Sequence, residues 1–155
     1  MATVSLSLDE IYKLANKTLL ANGCDQETAD ILSELITNAE RDGSLSHGLF
    51  RLPAYVSGLK SGKINGKQKP DIKKLTPSVI KADGKNCLAP VVLNKSIPEL
   101  VKAAKENGVA VLAIINSHHM AAMWPETEKI AEEGLVAFAC TCLLYTSDAA
   151  DDIGR

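Results

Sequence analysis

The sequence predicts a mixed α/β (α+β) fold in which a helical amino-terminal segment is followed by alternating strands and helices. Three observations carry this. Two amphipathic patterns with helix-start signals fill Ser7 to Asp42. Two short apolar runs, Val109–Ile115 and Leu135–Thr141, have the length of strands rather than helices. Helical patterns closed by glycine alternate with these runs. A chain of 155 residues, 46% hydrophobic and 23% charged, is long enough to bury a sizeable core.

Ser7-Leu8-Asp9-Glu10 reads as a capping box, and Leu8, Ile11, Leu14, Ala15 and Leu19 follow at helical spacing until Gly23. A second helix is expected from Asp25, with Ala29, Leu32, Leu35, Ile36 and Ala39 on one face, ending at the Asp42-Gly43 turn signal. A third covers part of Ser44–Gly62. Gly62–Lys74, with its glycines, Pro70 and five lysines, reads as a solvated connection. Ser78–Ala82 is expected to be a short strand, and Ile97–Gly108 a helix with Pro98 in its first turn and Gly108 as C-cap. Val109–Ile115 reads as a strand buried on both faces, Pro125–Glu133 as a helix closed by Gly134, and Leu135–Thr141 as another strand. No internal repeat is present. The expected division is a helical region over 1–72 and the start of an α/β region over 73–141.

Charge and composition narrow the function. With 17 basic and 19 acidic residues the net charge is −2, so the chain lacks the basic footprint expected of a nucleic-acid or anionic-membrane binder. A small-molecule partner is expected instead. The longest apolar run, Val109–Ile115, is far short of the roughly 20 residues that span a bilayer. The start MATVSLSLDE has no signal-peptide pattern, which places the chain in the cytoplasm as an expectation. Cys24, Cys87, Cys140 and Cys142 form no C-x-x-C pair and are read as buried, inert thiols.

The strand–helix alternation invites a dinucleotide-binding reading, yet the Gly-rich G-x-G-x-x-G turn is missing, as are a Walker loop, H-E-x-x-H and G-x-S-x-G. His118 and His119 are neighbours, so their side chains diverge and suit one metal poorly; no metal site is expected. The pair does sit just past a strand's carboxyl end, where open α/β sheets place ligand crevices. A structural role for it stays open. In SLSHGLFRLPAYVSGLKSG, Ser44 to Gly62, a continuous helix would put His47, Arg51 and Tyr55 on one face and Leu49, Leu52, Val56 and Leu59 on another. Pro53 argues that the regular helix starts near Phe50, which leaves Ser46 and His47 in the loop before it. That stripe is either a plain polar face or an anion site: arginine grips a carboxylate bidentately, and histidine exchanges a proton near neutral pH.

DGSLSHGLFRLPAYVSGLKSGKING, taken with GVAVLAIINSHHMAAMWPETEKIAEEGLVAFACT, closely resembles the non-Rossmann malate/L-lactate dehydrogenase family. Ureidoglycolate dehydrogenase and the Δ1-piperideine-2-carboxylate/Δ1-pyrroline-2-carboxylate reductases are also members. The S-H-G-x-x-R-L-P-x-Y and N-S-x-H segments occur in the family's order, and the resemblance runs from about Leu8 to Thr141. NSHHMAAMWPE looks most like the cyclic imine reductases. The resemblance implies an NAD(P)H-dependent oxidoreductase, with NADP favoured over NAD, a small carboxylate-bearing substrate, and a homodimer. It matches Ser46 and His47 to the catalytic pair, Arg51 to the carboxylate-binding arginine, and His119, Met120, Ala121, Ala122 and Met123 to the cofactor-lining segment. Tyr55 joins the substrate side through the shared stripe. His119 is also read as the acid/base residue of the hydroxy-acid members, so His47 is expected to serve an imine and His119 a 2-oxo acid.

The resemblance stops at Cys142–Arg155, which reads as a non-native tail; the preceding residues read as the amino-terminal part of a longer enzyme, inactive alone. The alternatives are a 2-hydroxy acid dehydrogenase of the malate, L-lactate or ureidoglycolate type, or a non-catalytic interaction module.

Overall fold

The computed structural model describes residues 4–118 and 121–141. Helix α1, Leu8–Ala21, starts with the expected reciprocal cap: the Ser7 hydroxyl accepts the Glu10 N–H, and the Glu10 carboxylate accepts the Ser7 N–H at 2.8 Å. Helix α2, Gln26–Arg41, is capped by Asp25, whose carboxylate accepts the Thr28 N–H at 2.9 Å. The two helices bury Ile11, Ala15 and Leu19 against Ala29, Leu32 and Ile36. Their flank is pinned at Asp30, whose Oδ1 accepts from Tyr12 Oη, Asn16 Nδ2 and Gln26 Nε2 at 2.7–3.0 Å.

Two 3₁₀ turns, Leu45–His47 and Leu49–Arg51, lead into α3, Leu52–Lys60, with Pro53 in its first turn, where a missing N–H costs nothing. Glu40 holds this loop from α2: its Oε1 accepts the Leu49 N–H at 2.7 Å, beneath Gly48. The inward face of α3 is Leu52, Tyr55 and Leu59 rather than the expected Leu52, Val56 and Leu59. Tyr55 therefore leaves the polar stripe for the core.

The sheet has the order β1-β2-β3. Strand β1, Asp71–Thr76, pairs antiparallel with β2, Val79–Asp83, through a register shift between Lys74 and Thr76; β2 pairs parallel with β3, Val111–Ile115. β1 begins within the lysine-rich stretch expected to be a connection, and it straddles the expected division at 72/73. Helix α4, Ala89–Asn107, crosses from β2 to β3 and ends at Gly108 in the left-handed region. It begins two turns before the expected start, with Pro98 in its interior. Val91 and Val92, both fully buried, hold those first turns, and their burial offsets the roughly 3 kcal/mol that an interior proline costs.

Val91 joins the α1–α3 core, and Val92 packs with Ala82 and Cys87 beneath Ile72, Leu112 and Ile114. Contrary to expectation, β3 is not buried on both faces: Val111 is 55% and Ile115 38% exposed, because the sheet has no further layer on that side among the described residues. Helix α5, Trp124–Ala131, follows. Leu135–Thr141 forms no ladder, which corrects the expected strand. Only Leu135, Ala137 and Ala139 are partly covered, and a strand needs a paired edge to close its hydrogen bonds. Cys24 and Cys87 are buried as expected, but Cys140 is exposed. Cys142 and the expected tail lie outside the described residues. Among those described, no helix is long and apolar enough to cross a membrane.

The capped start of α2 gives a pH prediction. Burial alone would raise the Asp25 carboxyl, but hydrogen bonds from Lys69 and Thr28 outweigh it and bring it down from 3.8 to about 2. A depressed folded value adds stability that is complete above about pH 4 and is lost as the pH falls through 3.8 towards 2. Urea midpoints measured on either side of that window should therefore drop less in Asp25→Asn than in the parent chain. A second prediction concerns Gly48, where an added Cβ would overlap the Glu40 carboxylate. Gly48→Ala should expel that carboxylate and cost about 1–3 kcal/mol. Hydrogen exchange of the Leu49 amide should accelerate in step; an unchanged rate would show that Glu40 does not hold the loop.

Candidate active site

The loop of 3₁₀ turns places its polar side chains by short local bonds. The His47 N–H donates to the Ser44 carbonyl and the Arg51 N–H to the Gly48 carbonyl, so the backbone path is closed twice within eight residues. On this frame the Ser46 hydroxyl lies 2.9 Å from His47 Nδ1, and the Ser44 hydroxyl lies 3.3 Å from the same atom. Arg51 Nε donates to the Ser46 carbonyl at 2.8 Å, which turns the guanidinium back over the turn that holds His47. Among the described residues no carboxylate pairs with Arg51, so its two terminal nitrogens are left for an anion. The structure thus brings Ser46, His47 and Arg51 together.

Tyr55 does not join them. Its ring is fully buried among Leu19, Leu32, Leu52 and Leu88, and its hydroxyl has no partner among the described residues. Burial pushes that hydroxyl up to about 12, against a smaller downward pull from Arg51. The expected shared face fails because His47 belongs to a 3₁₀ turn outside α3, so the four-residue helical repeat does not extend back to it.

The second part of the site lies at the carboxyl ends of the parallel strands. Asn116 follows β3 in the left-handed region, its side chain donating to Asp83 at the end of β2 (3.1 Å) and its carbonyl accepting the Asn86 N–H (2.8 Å). Gly84 is required here, because a Cβ would meet Asn116 O and Ser117 Cβ at under 3.0 Å. The His118 main chain is bolted to the start of α4, its N–H donating to Cys87 O (3.0 Å) and its carbonyl accepting the Ala89 N–H (2.9 Å). His119 and Met120 lie outside the described residues. Ala121 and Ala122 are buried, and Met123 caps α5.

α5 returns to the first part of the site. The Trp124 ring lies edge-to-face on His47, with centroids 6.4 Å apart and planes at 72°. His47 and the Ala121–Met123 segment, far apart in the chain, are therefore brought to neighbouring positions. Sequence reasoning missed three residues of this arrangement. Ser44 was readable as a second hydroxyl three residues from His47. Glu40 and Trp124 act through contacts that no spacing rule connects to the site.

Few chemistries suit this set. A hydroxyl-bonded imidazole beside an unpaired guanidinium fits acid catalysis on a carboxylate-bearing substrate, whereas no group of three or more metal-binding side chains occurs among the described residues.

The Δ1-pyrroline-2-carboxylate reductase of Ancylobacter novellus is 41% identical over 138 residues, covering 89% of this chain and 40% of that protein. The NADP(+) (2R)-3-sulfolactate dehydrogenase of Chromohalobacter salexigens is 35% identical over 134 residues, covering 86% of this chain and 40% of that one. The crystal structure of Δ1-piperideine-2-carboxylate reductase from Pseudomonas syringae pv. tomato superposes with a TM-score of 0.81 at 39% identity, covering 85% of this chain and 40% of its own. The chain thus spans about 40% of the length of the curated relatives it matches. The sequence profile of the malate/L-lactate dehydrogenases matches residues 6–144, nearly the whole described fold, and the chain belongs to that family.

Proposed function

We propose that this chain carries the acid and carboxylate-binding half of an NAD(P)H-dependent reductase of cyclic 2-imino acids, Δ1-pyrroline-2-carboxylate or Δ1-piperideine-2-carboxylate. The observation that carries this reading is the Ser46–His47–Arg51 cluster, with its imidazole tied to a hydroxyl at 2.9 Å and its guanidinium unpaired among the described residues. Arg51 binds the substrate carboxylate through its two terminal nitrogens. That carboxylate sits on C2, so the adjacent ring nitrogen falls beside His47. As the C=N π bond opens, C2 gains hydrogen and the nitrogen takes its proton from His47. Ser46 keeps the imidazole oriented through Nδ1.

The nicotinamide cofactor, when bound, supplies the hydride. Ala121, Ala122 and Met123 would hold its ring, together with His119 and Met120. NADP is the favoured form, in keeping with the NADP(+) dependence named for the sulfolactate relative. The same relative supports a second reading, a 2-hydroxy acid dehydrogenase in which His119 is the acid, since sulfolactate bears a hydroxyl where the imino acids bear nitrogen.

The test uses a protein of the relatives' full length that carries these residues, assayed with a cyclic 2-imino acid and a 2-oxo acid. Arg51→Ala should raise KM for the carboxylate substrate by the equivalent of about 2–4 kcal/mol, the scale for removing one partner of a desolvated charge pair. An unchanged KM would remove Arg51 from the carboxylate site. His47→Ala should lower kcat for imine reduction about 10²- to 10⁴-fold, whereas His119→Ala should mainly raise the cofactor KM. The reverse pattern, with turnover confined to the 2-oxo acid, would favour the dehydrogenase reading.

A further inference from the structure

Trp124, the chain's one tryptophan, takes no part in the chemistry above, yet its ring lies edge-to-face on His47. A hydroxyl bonded to Nδ1 restrains an imidazole weakly, because the hydroxyl rotates to follow the ring. An edge-to-face aromatic neighbour restrains it more strongly, since rotation of the imidazole would drive its edge into the indole or lose the contact. Arg41 clamps Asp42 through Nε to Oδ1 at 2.8 Å and through Nη2 to Oδ2 at 3.1 Å. The Asp42 carboxyl lies below the usual carboxylate range, first because of the Arg41 hydrogen bond and in smaller part because of one from the Trp124 side chain. Glu128, one turn along α5, adds to the field on Arg41. The Arg41–Asp42 pair therefore lies near the tryptophan that abuts the histidine.

We propose that Trp124 is a positioning residue for His47: its indole holds the imidazole edge-to-face so that Nδ1 stays on the Ser44 and Ser46 hydroxyls. The catalytic importance of this placement rests on the reading of His47 as proton donor; the placement itself does not. Phenylalanine at 124 keeps an aromatic edge at the imidazole but loses the indole N–H, whereas alanine loses both.

The test has two arms. In the first, the carbon-bound ring protons of His47 are followed by NMR in the 155-residue chain, assigned by their loss in His47→Gln. These resonances should carry a ring-current displacement that Trp124→Ala abolishes and Trp124→Phe largely restores. Identical His47 shifts in the parent and Trp124→Ala would overturn the proposal. In the second arm, in a protein of the relatives' full length that carries these residues, Trp124→Ala should lower kcat about 10- to 100-fold with the substrate KM changed less than about threefold, because Arg51 is untouched. Trp124→Phe should recover most of the rate. A displacement lost in Trp124→Ala with kcat unchanged would overturn the positioning role. Should His47→Ala itself leave kcat intact, the donor assignment fails on its own experiment, and the NMR arm still decides the placement.

Discussion

Two adjacent valines near the start of α4 hold the molecule together. Val91 and Val92 are both fully buried, but neighbouring residues on a helix point about 100° apart, so they enter different cores. Val91 packs into the three-helix core that carries the His47 loop. Val92 packs under the sheet whose carboxyl end carries Asn116 and His118. One helix therefore serves as a wall shared by two apolar clusters, and the distance between the two parts of the site follows from its width. Leu88, also fully buried, sets the start of that wall and places α4 against the loop after β3.

From this shared wall outward, the site is held chiefly by main-chain groups. The His118 backbone bonds to Cys87 and Ala89, Gly84 lets the Asn116 carbonyl approach, and Glu40 takes the Leu49 amide. Main-chain bonds of this kind do not depend on rotamers, so they place a loop more firmly than exposed ion pairs do. The surface ion pairs have another use. Lys69 bridges Asp25 and Glu27 while Lys95 reaches Glu27, fastening the lysine-rich connection and α4 to the start of α2.

Where local chemistry decided the structure, the sequence was legible. The caps of α1 and α2, the glycine end of α4 and the proline-opened α3 all depend on residues within a few positions of one another. Where tertiary contact decided, it was not. β1 is an edge strand with four exposed residues, so its lysines hid its period. Pro98 reads locally as a first-turn proline, and only the burial of Val91 and Val92 shows that two turns precede it. Tyr55 looked polar by composition, yet its position at i+3 from Leu52 put it in the core. Ser46, His47 and Arg51 were recognisable from their motif; Glu40 and Trp124 were not, because each reaches the site from another element.

The manner in which Ser44–Arg51 is held has a bearing on how such a site diversifies. Its path is closed by main-chain bonds and by one carboxylate beneath a glycine, so the chain direction does not depend on Leu45 or Phe50, which are 64% and 75% exposed. Those two large side chains carry none of the loop's hydrogen bonds. Mutational drift at these tips changes the surface that the loop presents while leaving its main-chain frame in place. The loop thereby separates exposed positions that are free to vary from those that set its path.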